Sequence, residues 1–204
     1  ARTEDGSSVH HQSLEGRTCL IAGASSGIGA HLAQAMAAAG ANVVLAARRT
    51  RLTEEIAQAI AEDGGAAIAV PMDVTDGTSV AEAFSLAEDR FGSVDTVVAN
   101  AGISRYGRSI EVAEAEVRQV IDTNLLGVHL TASEAARRMI AAGSRETGAG
   151  RIVIIGSITA QLTGQGDAAY AASKAGVAHL ARQFAREWVR LGINVNTVQP
   201  GYIR

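Results

Sequence analysis

A glycine turn set between two opposite residue patterns constrains this chain more than any other feature. Arg17-Thr18-Cys19-Leu20-Ile21-Ala22 is a short apolar run with strand character. Gly23-Ala24-Ser25-Ser26-Gly27-Ile28-Gly29 follows, and the alanine-rich run Ala30–Ala39 comes next. The order reads as strand, tight turn, helix. Glycines permit such a turn and let the backbone come close to a pyrophosphate, while the helix N-terminus offers free N–H groups and a positive dipole end. The spacing is G-x-x-x-G-x-G, not the G-x-G-x-x-G of the usual dinucleotide fingerprint. On its own the turn leaves a purely structural loop open; its place after a strand favours nucleotide binding by Gly23, Ser25, Ser26, Gly27, Ile28 and Gly29.

The same alternation continues along the chain. Strands are predicted near 18–22, 42–46, 67–70, 96–99, 151–155 and 194–198. Helices are predicted near 27–39, 51–63, 79–91, 114–142 and 169–191. Ile152-Val153-Ile154-Ile155 is a continuous apolar run, as expected for a strand covered on both faces. Gly40 and Gly64-Gly65 stand where helix C-caps belong. Residues 143–150 read as a mobile loop. The expected fold is α/β: a Rossmann-type, doubly wound parallel sheet with helices on both faces, in a single domain. Its 204 residues suffice for one substantial core. With 47% apolar but only 3% aromatic residues, that core must be made mainly of Ala, Val, Ile and Leu.

A net charge of −3 gives no sign of nucleic-acid or anionic-membrane binding. No apolar run approaches the roughly 20 residues of a membrane span. Residues 1–15 read as a polar, disordered leader without a signal-peptide core, and the domain is expected over 16–204. His10-His11 in that leader reads as solvated. Cys19 has no partner for an internal disulfide and reads as a small buried core residue. A reducing, cytoplasmic setting is expected. No His/Cys/Asp spacing suggests a metal site. His31, His129 and Trp188 read as surface or packing residues.

The chemistry-bearing residues come late. Ser157 follows the run Ile152–Ile155, and Tyr170-Ala171-Ala172-Ser173-Lys174 lies in the last predicted helix. Residues at i and i+4 project from one helix face, so an ammonium stands beside a phenol. A free phenol has a pKa of about 10; a neighbouring positive charge favours phenolate. Tyr170 thereby becomes usable as a general acid or base, with the Ser157 hydroxyl able to bond the same substrate oxygen. Asn124 sits inside the predicted helix 114–142, where Asn is a mediocre helix former, and an exposed or capping role stays open. The second strand ends at Ala46-Ala47-Arg48-Arg49. A fold that prefers NAD usually has a carboxylate here. Two arginines suit a 2′-phosphate instead, so NADP(H) is the expected cofactor, with Arg48 the main contact, Arg49 secondary and NAD(H) the alternative. Both could also be ordinary solvated charges at a helix start. Asn100-Ala101-Gly102 ends the fourth strand with small residues that let a cofactor ribose lie against the backbone.

Taken together, Gly23/Gly27/Gly29, Asp73-Val74, Asn100-Ala101-Gly102, Asn124, Ser157, Tyr170/Lys174 and Pro200-Gly201 make the chain resemble the short-chain dehydrogenase/reductase family, in its Y-x-x-x-K branch, from about Gly16 to Arg204. The resemblance implies that Tyr170 transfers the proton, Ser157 positions the substrate oxygen, and Lys174 lowers the tyrosine pKa and binds the nicotinamide ribose. It implies that Asn124 kinks its helix and completes a water-linked proton relay to Lys174. It gives Asp73 the adenine amino group, Val74 the ring, Ser25 a share of the ribose or its phosphate, and Pro200, Gly201 and Ile203 the nicotinamide amide. Relatives commonly have a second asparagine where Ala99 stands, so weaker pinning of the central sheet is expected. The family also continues beyond Arg204 through a substrate-covering segment and a seventh strand, so this chain reads as lacking that C-terminal part. Tyr106, Ile103, Gln161 and Leu162 are candidates for the substrate pocket.

The expected function is NADP(H)-dependent interconversion of a secondary alcohol and a ketone, with a small carbonyl or alcohol substrate. The long helices 114–142 and 169–191 form the dimer contact in relatives, which implies a homodimer or homotetramer. A non-catalytic NADP-binding regulator or scaffold, and an epimerase or dehydratase that recycles its cofactor, stay open beside it.

Overall fold

The structure, a computed structural model, describes residues 13–202. Residues 1–12 of the expected leader, including His10-His11, lie outside them, as does Ile203. The last residues of that stretch are packed: Leu14 N donates to Ala39 O at 2.8 Å, and its side chain lies against the core.

Six strands form one parallel sheet: β1 (Thr18–Ala22), β2 (Asn42–Ala47), β3 (Ala66–Pro71), β4 (Thr96–Ala99), β5 (Gly150–Ile155) and β6 (Ile193–Val198). Their order is β3-β2-β1-β4-β5-β6. All pairings are parallel, with Ile21 opposite Leu45 on one side and Val98 on the other. The main helices are α1 (Gly27–Ala38), α2 (Thr50–Glu62), α3 (Gly77–Phe91), α4 (Glu114–Ile121), α5 (Gly127–Ala141), the single turn α6 (Ser144–Thr147) and α7 (Ala168–Trp188).

Because successive side chains of a strand face opposite ways, the central strands feed two cores. Leu20, Ala22, Val44 and Val97 pack against Phe84 of α3, Ala132 and Ala135 of α5 and Val177 of α7. Cys19, Ile21, Val43 and Val98 pack against Ala33 of α1 and Ile60 of α2. This is the doubly wound arrangement expected from the continuous apolar runs. On the first of these faces Ala83, Ala87, Ala132, Ala135, Ala136 and Ala181 supply many of the helix contacts, letting the helices approach the sheet closely. Cys19 is fully buried and unpaired; burial pushes its thiol up to about 12, so it behaves as a small hydrophobe. Trp188 stacks on Phe184 with ring centres 4.1 Å apart, and the exposed His129 lies tilted against Phe184 with ring centres 5.5 Å apart.

Two expectations need correction. The predicted single helix over 114–142 is broken: α4 passes into a π turn over Asp122–Leu126 before α5 begins. The side chain that breaks it is Asn124, which is fully buried and tied to the chain after β4. The expected mobile loop over 143–150 contains the turn α6 and the first residue of β5. Ser144 Oγ donates to Leu191 O at 2.6 Å, fixing that turn to the segment before β6.

Candidate active site

In the strand order 3-2-1-4-5-6, the chain leaves β1 toward one side of the sheet and β4 toward the other. The crevice at the carboxyl ends of these strands is the topological switch point where doubly wound sheets bind ligands. A cavity of about 720 Å³ lies here, bordered by the segments following all six strands. That volume is within the range of cofactor sites.

After β1, the turn brings Gly23, Ser25, Ser26 and Ile28 to the cavity. A Cβ on Gly23 would stand 2.7 Å from Ala101 Cα, and one on Gly29 would stand 2.3 Å from Gly23 O and 2.6 Å from Asn100 Nδ2. These two glycines therefore let the turn close on itself and on the end of β4. Asn100 Nδ2 donates to Gly23 O at 3.0 Å. Its amide clamps the turn, a role beyond the ribose contact expected from the sequence. Gly27 and Gly29 shape the turn without lining the cavity.

Ala47, Arg48 and Arg49 border it after β2. Arg49 Nη2 donates to Ser25 Oγ at 2.8 Å and to Ser26 Oγ at 2.9 Å, whereas Arg48 Nη1 stands 3.8 Å from Asp73 Oδ2. Of the two arginines, Arg49 is the one held over the glycine turn. After β3, Met72, Asp73 and Val74 line the wall. Asp73 Oδ1 accepts from Thr75 N at 3.0 Å and Thr75 Oγ1 at 2.8 Å. The Thr75 amide, with help from its hydroxyl and from Arg48, holds the Asp73 carboxyl below its ordinary range.

After β4 come Asn100, Ala101, Gly102, Ile103 and Ser104. Of the four residues predicted for the substrate pocket, only Ile103 borders the cavity; Tyr106, Gln161 and Leu162 are exposed outside its wall. Asn124 lies one layer behind. Its Oδ1 accepts from Ile103 N at 2.8 Å, and its Nδ2 donates to Ile103 O at 2.9 Å and Ser173 Oγ at 3.1 Å. One buried side chain thus fixes the loop after β4 to α7, two residues that sequence spacing could not relate.

Ile155, Gly156 and Ser157 line the cavity at the end of β5, and Tyr170 and Lys174 enter it from α7. Ser157 caps a short 3-10 turn over Ile158–Ala160. Lys174 is 3% exposed. Its Nζ donates to Ile155 O at 2.8 Å and stands 5.7 Å from the centre of the Tyr170 ring. Burial pulls its pKa from 10.5 down to about 8. Tyr170 is half-buried. Pro200 and Gly201 complete the rim after β6. Among the described residues no helix is long and apolar enough to cross a membrane.

A family model described as short chain dehydrogenase matches residues 17–204. The chain is 41% identical over 187 residues to cis-4-hydroxycyclohexanecarboxylate dehydrogenase of Sinomonas cyclohexanicum, covering 91% of this chain and 73% of that protein. It is 37% identical over 191 residues to the 3-oxoacyl-acyl-carrier-protein reductase of Escherichia coli, covering 93% of this chain and 75% of that one. A solved gluconate 5-dehydrogenase from Burkholderia cenocepacia, in complex with NADP and tartrate, superposes with a TM-score of 0.88 at 34% identity, over 95% of this chain and 74% of that one. On this fold, this switch-point cavity and these matches, the chain belongs to the short-chain dehydrogenase/reductase family of oxidoreductases.

Proposed function

We propose that the chain is an NADP(H)-dependent oxidoreductase that interconverts a secondary alcohol and a ketone. The observation that carries this reading is one cavity bordered both by Ser157, Tyr170 and Lys174 and by the glycine turn with Arg48 and Arg49. Proton-handling groups and phosphate-binding groups thus face the same space.

The residues present fit a phosphorylated dinucleotide. The α1 N-terminus receives no hydrogen bond from a capping side chain, so its first N–H groups are open to a diphosphate. Arg48, as the main contact, and Arg49 take the 2′-phosphate, with Ser25 beside them; Ala47 offers no carboxylate to repel it. Asp73 takes the adenine amino group and Val74 packs the ring. Asn100, Ala101 and Gly102 form the floor under the ribose, and Pro200 and Gly201, with Ile203, hold the nicotinamide amide.

A nicotinamide held in this cavity would supply the hydride chemistry at the carbonyl carbon. In reduction, Tyr170 gives its phenolic proton to the substrate oxygen while Ser157 donates a hydrogen bond to the same oxygen. Charged Lys174 favours the phenolate left behind and bonds the nicotinamide ribose. Asn124 holds Ile103 and α7 in register and belongs to the relay that returns a proton to Tyr170. In oxidation the same groups run in reverse.

The test is turnover with NADPH or NADP across a panel that includes cis-4-hydroxycyclohexanecarboxylate, its 4-oxo counterpart, gluconate and an acetoacetyl thioester. Tyr170→Phe is expected to lower turnover at least about 100-fold while NADPH affinity, read by Trp188 fluorescence, is kept. Full activity in that variant sinks the proposal. Stoichiometric consumption of cofactor distinguishes this chemistry from epimerisation or dehydration with a recycled cofactor. Arg48→Ala with Arg49→Ala should weaken NADPH binding at least about tenfold, as expected for lost charge-assisted bonds, and leave NADH binding nearly unchanged. We further propose a homodimer or homotetramer formed through α4, α5, the π turn between them and α7, where Val117 of α4 and Leu126 of the π turn are exposed; sedimentation at equilibrium decides this, and a monomer refutes it. The lone buried thiol suits a reducing, cytoplasmic setting.

A further inference from the structure

Ser157 is held by a neighbour that the reaction as described does not use. Its Oγ accepts from Thr159 N at 3.2 Å and from Thr159 Oγ1 at 2.9 Å. A serine hydroxyl has two acceptor sites and one proton. With the Thr159 hydroxyl as donor, both acceptor sites are filled by one residue, and Ser157 Oγ has no hydrogen-bond partner other than Thr159 among the described residues. Ser157 itself is 8% exposed and lines the cavity, so in this arrangement its proton is free to turn toward the cavity. The backbone around the pair is fixed: Gly156 N donates to Val198 O at 2.7 Å and Ile158 N to Pro200 O at 3.0 Å.

We propose that Thr159 is a positioning residue for the reaction: by occupying both lone pairs of Ser157 Oγ it leaves Ser157 only a donor, aimed at the substrate oxygen. This rests on the oxidoreductase reading given above. Two consequences follow from the donor count. Ser157 cannot accept the Tyr170 hydroxyl proton, so Tyr170 keeps it for the substrate. And the substrate oxygen meets two donors in reduction, which suits a carbonyl gaining negative charge. In oxidation, the substrate alcohol gives its own proton to the Tyr170 phenolate, and Ser157 still donates to a lone pair of that oxygen. The Thr159 hydroxyl also polarises the Ser157 O–H bond by donating to its oxygen.

The test compares Thr159→Val, which keeps shape and the amide but loses the hydroxyl, with Thr159→Ser, which keeps both donors. Each is made in the full chain and in a Ser157→Ala background, and assayed with NADPH and 4-oxocyclohexanecarboxylate or the acetoacetyl thioester. Thr159→Val is expected to lower kcat about five- to tenfold, leave NADPH affinity unchanged, and have no further effect once Ser157 is alanine. Thr159→Ser restores most of the loss. An unchanged or raised kcat in Thr159→Val overturns the proposal; a raised value would mean that Ser157 donates to Thr159 instead. An equal loss in the Ser157→Ala background overturns it too, since the effect would then not pass through Ser157. These results leave the reductase reading standing. No turnover by the unmodified chain on any panel member overturns that reading, and this role with it.

Discussion

Lys174 holds an ammonium where little water reaches it. Its ordinary pKa of 10.5 falls to about 8 through burial alone, so the folded chain releases this proton at a lower pH than the unfolded chain. The cost of burying the charge is present in full below about pH 8, fades between about 8 and 10.5, and is gone above; stability contributed by this group therefore rises with pH across that window. Lys174→Met should stabilise the cofactor-free protein at pH 7 by on the order of 2 kcal/mol, after the lost hydrogen bond to Ile155 O is set against the removed burial cost. Urea unfolding at pH 7 and 9.5 checks this: the gain should shrink at the higher pH, and destabilisation at pH 7 would contradict it. Turnover should be lost in the same variant, the trade between stability and activity expected of a strained site. The i, i+4 spacing of Tyr170 and Lys174 was legible in the sequence, because helix geometry is local. The depth of Lys174 was not, because it depends on the end of β5 presenting Ile155 O to a residue of α7 that lies far along the chain.

Among the elements, the turn between β1 and α1 is specified by close approach. Gly29 is in helical conformation, so its requirement is spatial: a methyl group there would run into Gly23 O at 2.3 Å, a backbone atom that cannot step aside. Gly29→Ala should cost about 1–3 kcal/mol by overpacking and weaken NADPH binding, readable as a lower Tm and a weaker titration; an unchanged affinity would show that the turn tolerates opening. The glycine spacing disclosed this turn before any fold was known. The π turn over Asp122–Leu126 is the opposite case. Apolar periodicity on either side of it reads as one helix, and the residue types alone indicate only that Asn124 sits badly there. What breaks the helix is the pairing of Asn124 with both backbone groups of Ile103, a partner that arrives from another strand end.

The whole molecule is polarised along its strands. At the amino ends the sheet is sealed by Asp95, whose carboxylate accepts from Arg17 Nη1 at 3.0 Å, Thr18 N at 3.1 Å and Thr96 Oγ1 at 2.6 Å. At the carboxyl ends polar groups are left facing a cavity. Asp95→Ala should therefore destabilise the fold by about 1–3 kcal/mol, since it strands buried donors, without changing NADPH affinity at the opposite end. Thermal unfolding and titration together check this, and a matching loss of affinity would contradict it. The half-buried ion pair of Arg17 with Asp95 and the cavity lie at opposite ends because parallel strands point all their outgoing loops one way.

By itself the sequence determined the alternation of strands and helices, the parallel doubly wound sheet, the glycine turn and the shared helix face of Tyr170 and Lys174. Each of these follows from short-range rules: the period of apolar residues, the freedom of glycine and the pitch of a helix. Tertiary structure alone decided which arginine is held over Ser25 and Ser26, that Asn100 clamps the turn, that Asn124 bridges Ile103 and Ser173, and how deeply Lys174 is buried. These rest on groups far apart in the chain whose distances are set by the order of the strands, and strand order depends on packing across the whole sheet, which local patterns do not encode.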